Sequence, residues 1–351
     1  MTLRAANAEG LDLGPAMSLG VYPTASLPRL GELAAVVDNT RIDTLWIGDS
    51  PLIWRECWAA IAWLGARTES LRLGPCVTNT MSRHPAVTAA TLATLQEATG
   101  GRIRLGIGVG DSAVRMLYGR IGKLAELETA VDLIRRLLET GEAQEGARGL
   151  TLPVSWPGTE ISLSGSGPMT LALAGAIGDA AIVVPGTQSD RVEAANAAVS
   201  SGASAAGRNP RAVRRILWVA CAVGADEDAA LDRVRPWVAS VLRHPLAFKV
   251  PPEVHEIQVA IREFYDFHHH MATSAEHRRF VPDWLVRQFA LAGNSERVRE
   301  ELLVLASLPD VDEIALVLLG PNWTDEARAL LSILDGIPAA RQLAGAERDN
   351  R

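Results

Sequence analysis

The stretch between residues 71 and 111 limits the possible folds of this chain more than any other. It contains two short apolar runs, each ending in a polar or Gly-rich turn, on either side of one segment with helical spacing. This order is that of a single parallel βαβ unit. In a barrel of such units, the loops at the C-terminal ends of the strands build the active site. We therefore expect the residues after the two strands to face one cavity: Cys76, Val77, Thr78, Asn79 and Asp111.

The same alternation continues along the chain. Apolar runs predict eight strands, at residues 17–22, 44–47, 71–77, 103–107, 160–164, 180–184, 215–223 and 311–319. Helical periodicity lies between and after them, at residues 28–38, 54–66, 84–99, 124–140, a helix ending at 177, then 191–206, 226–242, 286–305 and 325–334. The count and spacing predict an α/β fold, a (β/α)8 TIM barrel, with an open doubly wound sheet as the alternative.

We read residues 1–351 as a single domain with three irregular parts. Residues 1–15 have the composition of a tail, and residues 141–158, rich in Gly, Pro and Glu, predict a loop. Residues 244–283 break the rhythm with several prolines, and we interpret them as an insertion before the last strand that acts as a lid. Asn294 or Ser295 is suited to cap the second part of helix 286–305.

Composition excludes several classes of protein. Hydrophobic residues make up 48% and charged residues 21%, which favours a large core over disorder. A net charge of −7 without basic clusters argues against a nucleic acid partner. No apolar run is long enough to span a membrane, and no apolar signal segment begins the chain. Three scattered cysteines, Cys57, Cys76 and Cys221, fit a reducing cytoplasm and lack metal-ligand spacing.

Polar and Gly-rich residues follow other predicted strands too. Asp49 follows the second strand, and Gly165, Ser166 and Gly167 follow the fifth, where backbone N–H groups before a helix suit a phosphate. A helix cap or a tight turn explains each of these alone about as well. The GIGVGD sequence that ends in Asp111 is not a dinucleotide fingerprint, because Asp111 stands where GxGxxG needs glycine.

A run of three histidines, His268, His269 and His270, raises the question of a metal site. Adjacent residues on a helix diverge by about 100°, so such side chains rarely meet at one ion. We predict no metal here, and expect these histidines and Tyr265 to line the substrate side of the cavity.

Four segments together resemble the bacterial luciferase-like superfamily, and most of all its branch of methylenetetrahydromethanopterin reductase and deazaflavin-dependent glucose-6-phosphate dehydrogenase. They are GPCVTNTMSRHPAVTAATLATLQEATGGRIRLGIGVGD, WIGDSPLIW, SGSGPMTLALAGAIGDAAIVV and VPDWLVRQFALAGNSERVREEL. The resemblance covers most of the chain and implies a barrel that binds FMN or coenzyme F420 at its C-terminal mouth.

The resemblance also implies roles for individual residues. A cis peptide bond between Cys76 and Val77 supports the back of the cofactor ring. Asp49, Thr78 and Asn79 contact the ring, Asp111 lies near its reactive face, and Trp54 matches an aromatic residue of the deazaflavin enzymes. The loop of Gly165, Ser166 and Gly167 holds the cofactor phosphate.

One position departs from the pattern. The deazaflavin dehydrogenases carry a catalytic His after the aspartate of strand two, whereas this chain has Ser50. A serine hydroxyl is too weak a base to replace an imidazole. We therefore favour reduction of an activated double bond, with Asp111 supplying a proton if burial raises its pKa.

Three functions stay open. The first is an F420-dependent oxidoreductase that transfers hydride to or from a small organic molecule, with catalytic residues Asp111, Asp49 and Trp54. The second is an FMN-dependent monooxygenase supplied by a separate reductase. The third is a barrel that binds flavin without turnover. The resemblance also implies a homodimer, for which helix 54–66, with Trp58 and Trp63, offers an apolar surface. Packing of this helix against its own barrel is the equal alternative.

Overall fold

A computed structural model describes residues 14–320, 322–335 and 337 of this chain. Its strands are β1 (Ala16–Val21), β2 (Ile42–Ile47), β3 (Arg72–Pro75), β4 (Thr78–Asn79), β5 (Leu105–Gly108), β6 (Glu142–Glu145), β7 (Arg148–Thr151), β8 (Ile161–Gly165), β9 (Ala180–Val183), β10 (Arg214–Val223), β11 (Leu291–Gly293) and β12 (Glu313–Leu318). The predicted tail, residues 1–15, lies almost entirely outside the described residues.

Helices cover the outside of the sheet. They are α1 (Leu27–Val37), α2 (Cys57–Gly65), α3 (Pro85–Thr99), α4 (Ser112–Tyr118), α5 (Leu124–Thr140), α6 (Pro168–Ile177), α7 (Ser189–Ala205), α8 (Glu227–Leu242), α9 (Pro252–Phe264), α10 (Asp283–Phe289), α11 (Ser295–Ala306) and α12 (Trp323–Leu334). Two short 3₁₀ turns lie at Pro210–Ala212 and Glu276–Phe280.

The main sheet is parallel and closes on itself. Its strand order is β3-β2-β1-β12-β10-β9-β8-β5-β4. The Leu73 N–H donates to the Arg102 carbonyl and the Arg104 N–H donates to the Leu73 carbonyl, both at 2.9 Å, so β3 pairs with the residues before β5. β3 and β4 are two parts of one predicted strand. Counted together, they give the sheet the eight strands of a TIM barrel. The doubly wound alternative is therefore wrong.

Two predicted elements are wrong. Residues 141–158, predicted as a loop, contain the antiparallel hairpin β6–β7, whose two-residue turn begins at Gly146 with a φ of 59°. The predicted helix 286–305 is interrupted by β11, which pairs with the end of β10. The side chain of Asn294 then caps α11 by accepting from the Arg297 N–H at 2.9 Å, as predicted.

The N-terminal end of the barrel is filled by a buried cluster of charges, not by apolar side chains. It consists of Arg104, Glu160, Arg214 and Glu313, each at or just before the start of a strand. Arg104 donates to Glu313 Oε2 at 2.9 Å and to Glu160 Oε1 at 2.5 Å. Arg214 donates to the same two carboxylates at 3.0 and 2.7 Å. Arg104 and Glu313 are buried, whereas Arg214 and Glu160 keep 15% and 21% of their side chains exposed. Asp43 adds a third carboxylate, 3.6 Å from Arg104, so the two positive charges are fully compensated.

Neighbouring strands contribute further hydrogen bonds to this cluster. Ser18 of β1 donates to Glu313 at 2.7 Å, and the Trp46 indole of β2 donates to it at 3.2 Å. Thr44, also on β2, accepts from Arg104 at 2.8 Å. The cluster therefore connects strands from all round the barrel.

The first prediction concerns this cluster. Replacing Glu313 with Gln removes the negative charge shared by Arg104 and Arg214. We expect the free energy of unfolding in urea to fall by about 3–5 kcal/mol, as when one partner of a buried ion pair is lost. Asp132→Asn is the matched control, since Asp132 pairs with Arg136 on the surface and should contribute little. Equal losses in both variants would contradict the prediction.

The second prediction concerns acid. Burial would raise the pKa of the Glu160 carboxyl, but the charges of Arg104 and Arg214 outweigh it and lower that pKa to about 2. This stabilisation is complete above the ordinary pKa of 4.5 and is lost as the pH falls from there through about 2. Urea midpoints at pH 6 and pH 3 should therefore differ more for the wild type than for Glu160→Gln.

Candidate functional site

A cavity of about 340 Å³ opens at the C-terminal ends of the barrel strands. Nine of the ten predicted site residues line it: Asp49, Trp54, Cys76, Val77, Asn79, Asp111, Gly165, Ser166 and Gly167. The exception is Thr78, whose side chain is fully buried outside the cavity lining. The strand ends thus bring together residues that are far apart in sequence, as parallel strands of a barrel must.

The wall formed by β3 and β4 has the predicted backbone. The peptide bond between Cys76 and Val77 is cis, which confirms that prediction. Gly108 adds no side chain to this wall, and a Cβ there would lie 3.3 Å from the Val77 Cγ2. The result is a smooth wall of backbone and small side chains.

Two buried polar atoms on this side of the cavity have no partner among the described residues. They are Oδ2 of Asp49 and Nδ2 of Asn79. The Asn79 side chain is oriented by its own Oδ1, which accepts from the N–H groups of Met81 and Ser82 at 2.9 and 2.8 Å. Burial raises the pKa of the Asp49 carboxyl. An unpaired acceptor and an unpaired donor thus belong to two residues that line the cavity, and because both atoms are enclosed by protein, a ligand pairs with them only after these side chains turn toward it.

A third part of the lining is the turn before α6. Gly165, Ser166 and Gly167 precede this ten-residue helix, and no side chain caps its N-terminus. The Ser166 hydroxyl donates to the Pro245 carbonyl at 2.8 Å, which fixes the turn against the residues after α8. Uncapped backbone N–H groups and the positive end of the helix dipole both favour the binding of an anion at this turn.

Asp111 has a different environment from the one predicted. It forms an ion pair with Arg243 at the end of α8, whose Nη1 donates to Oδ1 at 3.2 Å, and Arg115 donates to the same oxygen at 3.2 Å. Burial would raise the pKa of Asp111, but the hydrogen bond and charge of His244 and the charge of Arg243 hold it well below its usual range. The expectation that burial raises this pKa is therefore wrong, and Asp111 stays ionised.

Ser50 is also absent from the cavity wall. Its hydroxyl is buried and lies 2.6 Å from the hydroxyl of Ser112, the residue after Asp111. Ser50 thus connects the loops after β2 and β5, and its hydroxyl does not contribute to the cavity lining.

The three histidines separate on folding. His268 and His269 are exposed, and His269 Nδ1 lies 2.6 Å from the Asp266 carboxylate. His270 is buried and lines the cavity. Among the described residues, no group of three His, Cys, Asp or Glu side chains is arranged to hold a metal ion.

Sequence reasoning missed an aromatic wall. Tyr22, Trp218 and Trp237 line the cavity beside Trp54, which stacks on Tyr22 with ring centroids 4.5 Å apart. Trp218 and Trp237 belong to the apolar patterns of β10 and α8, which indicate core positions and give no sign of a cavity. Arg243 was missed for a similar reason, because no local pattern links it to Asp111.

A third prediction follows from the ion pair of Asp111 and Arg243. Asp111→Asn removes the charge that balances the buried Arg243 guanidinium, so the end of α8 and α9 should open more often. Amide hydrogen exchange there should become faster. Asp283→Asn is the control, because it removes an exposed carboxylate that pairs with Arg235 of α8. Unchanged exchange in Asp111→Asn would show that the pair does not hold this region.

Comparisons with known proteins give matches over most of the chain. A family model described as luciferase-like monooxygenase matches residues 10–310. The chain is 27% identical over 329 residues to 5,10-methylenetetrahydromethanopterin reductase of Archaeoglobus fulgidus, covering 87% of this chain and 95% of the relative. It is 30% identical to an F420-dependent glucose-6-phosphate dehydrogenase of Kribbella flavida, covering 70% and 79%.

A solved structure shows the same fold. The coenzyme F420 dependent tetrahydromethanopterin reductase from Methanopyrus kandleri superposes with a TM-score of 0.74 at 20% identity. The match covers 92% of this chain and 98% of that one. No described helix is both long and apolar enough to cross a lipid bilayer.

Proposed function

Because this chain belongs to the luciferase-like monooxygenase family, we propose that it transfers hydride between coenzyme F420 and a small organic substrate at the C-terminal mouth of the barrel. The observation that carries this proposal is the pair of unpartnered atoms, Asp49 Oδ2 and Asn79 Nδ2, on the wall of one cavity. Both curated relatives named above are oxidoreductases, and one is F420-dependent by name.

The ring of F420 fits these two atoms by its chemistry. Its pyrimidine edge carries an N–H donor for the Asp49 carboxylate and carbonyl acceptors for the Asn79 amide. The cis peptide of Cys76 and Val77 offers a flat backing for the ring. When bound, the deazaflavin supplies or accepts the hydride, and the residues around it hold and orient it.

The phosphate of the cofactor belongs, in this proposal, at the turn of Gly165, Ser166 and Gly167. An uncapped helix N-terminus stabilises an anion without a positive side chain. The turn leaves little room for a side chain at either glycine. A Cβ at Gly165 would lie 2.6 Å from Thr170, and a Cβ at Gly167 would lie 3.2 Å from Pro245.

In this proposal the remaining wall of the cavity contacts the substrate, and its residues limit the class of substrate that fits. Among the described lining residues none is Lys or Arg. A phosphorylated sugar, which the name of one relative implies for that protein, would find no cation here. We therefore propose a small uncharged organic substrate instead.

Trp54 and Asp111 take separate places in this proposal. Trp54 lies against the substrate, stacked on Tyr22. Asp111 holds Arg243 and the segment after α8 in place. Because its pKa is low, Asp111 does not carry the proton that a donor needs.

The predicted homodimer and cytoplasmic location stay predictions. Trp58, expected at a dimer surface, is buried in its own chain, while Val87 in the neighbouring groove between α2 and α3 is half exposed. That groove is the surface we propose for a second copy. A separate reductase is needed only if FMN is the cofactor.

The fourth prediction tests the cofactor. Titration with F420, followed by fluorescence, should show micromolar binding, and titration with FMN should show weaker binding. Asp49→Ala should weaken F420 binding by at least about tenfold, the effect of losing a hydrogen bond to a charged group. Asp132→Asn, far from the cavity, should bind as the wild type does. Tight FMN binding without an F420 response would favour the monooxygenase.

A further inference from the structure

His270 is the one histidine of the run that folding places in the cavity. It is only 6% exposed, and its ring lies 5.6 Å from that of Trp54. It comes from the segment between α9 and α10, whereas Asp49 and Asn79 come from the ends of barrel strands. Burial lowers its pKa to about 3, so the imidazole is neutral near pH 7.

The two ring nitrogens of His270 have different surroundings. Nδ1 lies 2.5 Å from the hydroxyl of Tyr265. Nε2 has no hydrogen-bond partner among the described residues and is not one of the fully enclosed polar atoms. It therefore opens onto the cavity, where a ligand can reach it.

Tyr265 decides which nitrogen carries the proton. Burial raises its pKa to about 12, so the hydroxyl keeps its proton near pH 7. A phenol O–H is a better donor than acceptor, so we assign the proton of this 2.5 Å contact to the tyrosine, with His270 Nδ1 as the acceptor. With Nδ1 accepting, the proton of the neutral imidazole stands on Nε2, which becomes a donor into the cavity.

Aromatic rings surround the space in front of this donor. Tyr22, Trp54, Trp218 and Trp237 line it, and none of the described lining residues is Lys or Arg. Such walls favour a flat, uncharged molecule whose faces contact rings. A buried donor among them selects a ligand with one well-placed acceptor, because leaving the donor unpaired is costly.

We propose that the substrate is a flat, uncharged carbonyl or imine compound whose heteroatom accepts a hydrogen bond from His270 Nε2. This inference rests on the proposed function. In the reducing direction, a bound reduced deazaflavin would supply the hydride for the substrate carbon, and the electron pair of the double bond would move to the heteroatom. The heteroatom would take the Nε2 proton, and the Nδ1 of His270 would take the proton of the Tyr265 hydroxyl.

The charges of this step balance within the network. Hydride and one proton are added to the double bond, and the tyrosine oxygen is left negative. The Arg243 guanidinium, 4.1 Å from the Tyr265 ring centroid, stabilises that charge until a proton returns from solvent. His270 is thus the catalytic residue, and Tyr265 is a positioning residue that sets its tautomer. An imidazole from the inserted segment supplies what Ser50 cannot.

An optical probe tests this without knowledge of the natural substrate. 4-(Dimethylamino)cinnamaldehyde is flat and uncharged, and its absorption moves to longer wavelength when its carbonyl accepts a hydrogen bond. Titrated into the cofactor-free protein, it should bind and show this red shift. His270→Phe should bind it without the shift, His270→Gln should retain part of the shift, and Tyr265→Phe should reduce it because the tautomer is no longer fixed.

Two results would overturn the proposal. Failure of the wild type to bind the probe would exclude this class of substrate, and an unchanged red shift in His270→Phe would exclude His270 as the donor. With reduced F420 present, reduction of the probe by His270→Phe should be at least about 100-fold slower, the usual contribution of a general acid. F420 titration of the same variants should match the wild type, so a failure of the proposed function appears separately, as loss of F420 binding.

Discussion

The buried charge cluster at the N-terminal end of the barrel is the constraint on which the rest of this structure depends. Arg104, Glu160, Arg214 and Glu313 come from strands that are not neighbours in sequence, and each charge needs the others to remain buried. Charges removed from water are stable only with complete partners, so the cluster fixes how these strands approach. With this end filled, the opposite end is left for a cavity.

A second ion pair gives that cavity its chemical character. Asp111 on the loop after β5 binds Arg243 at the end of α8, and this contact holds the inserted segment over the barrel mouth. Burial beneath it raises the pKa of Asp49 and lowers that of His270. Burial thus disfavours the charged form of each group, and the His270 imidazole is neutral near pH 7.

The cavity then has two sides with different chemistry. One side is backbone, glycine and two unpaired polar atoms, which suits a cofactor ring and its phosphate. The other side is mostly aromatic, and His270 is one of its polar groups. The first side is formed by the ends of barrel strands. The second side combines residues on or after barrel strands, Tyr22, Trp54 and Trp218, with Trp237 of α8 and His270 of the inserted segment.

The sequence alone determined the barrel, the order of its strands and eight of the residues on the cavity wall, because periodicity is local and the strand ends of a barrel meet at one face. A ninth, Trp54, came from the family resemblance. It did not reveal the hairpin within residues 141–158, whose polar strands lack an apolar pattern. Only the tertiary structure decided that Asp111 pairs with Arg243, 132 residues away. It also decided that His270 is buried while its two neighbours are exposed. The physical reason is that a pKa, a tautomer and an unpaired atom depend on burial and on partners distant in the chain, which no local pattern encodes.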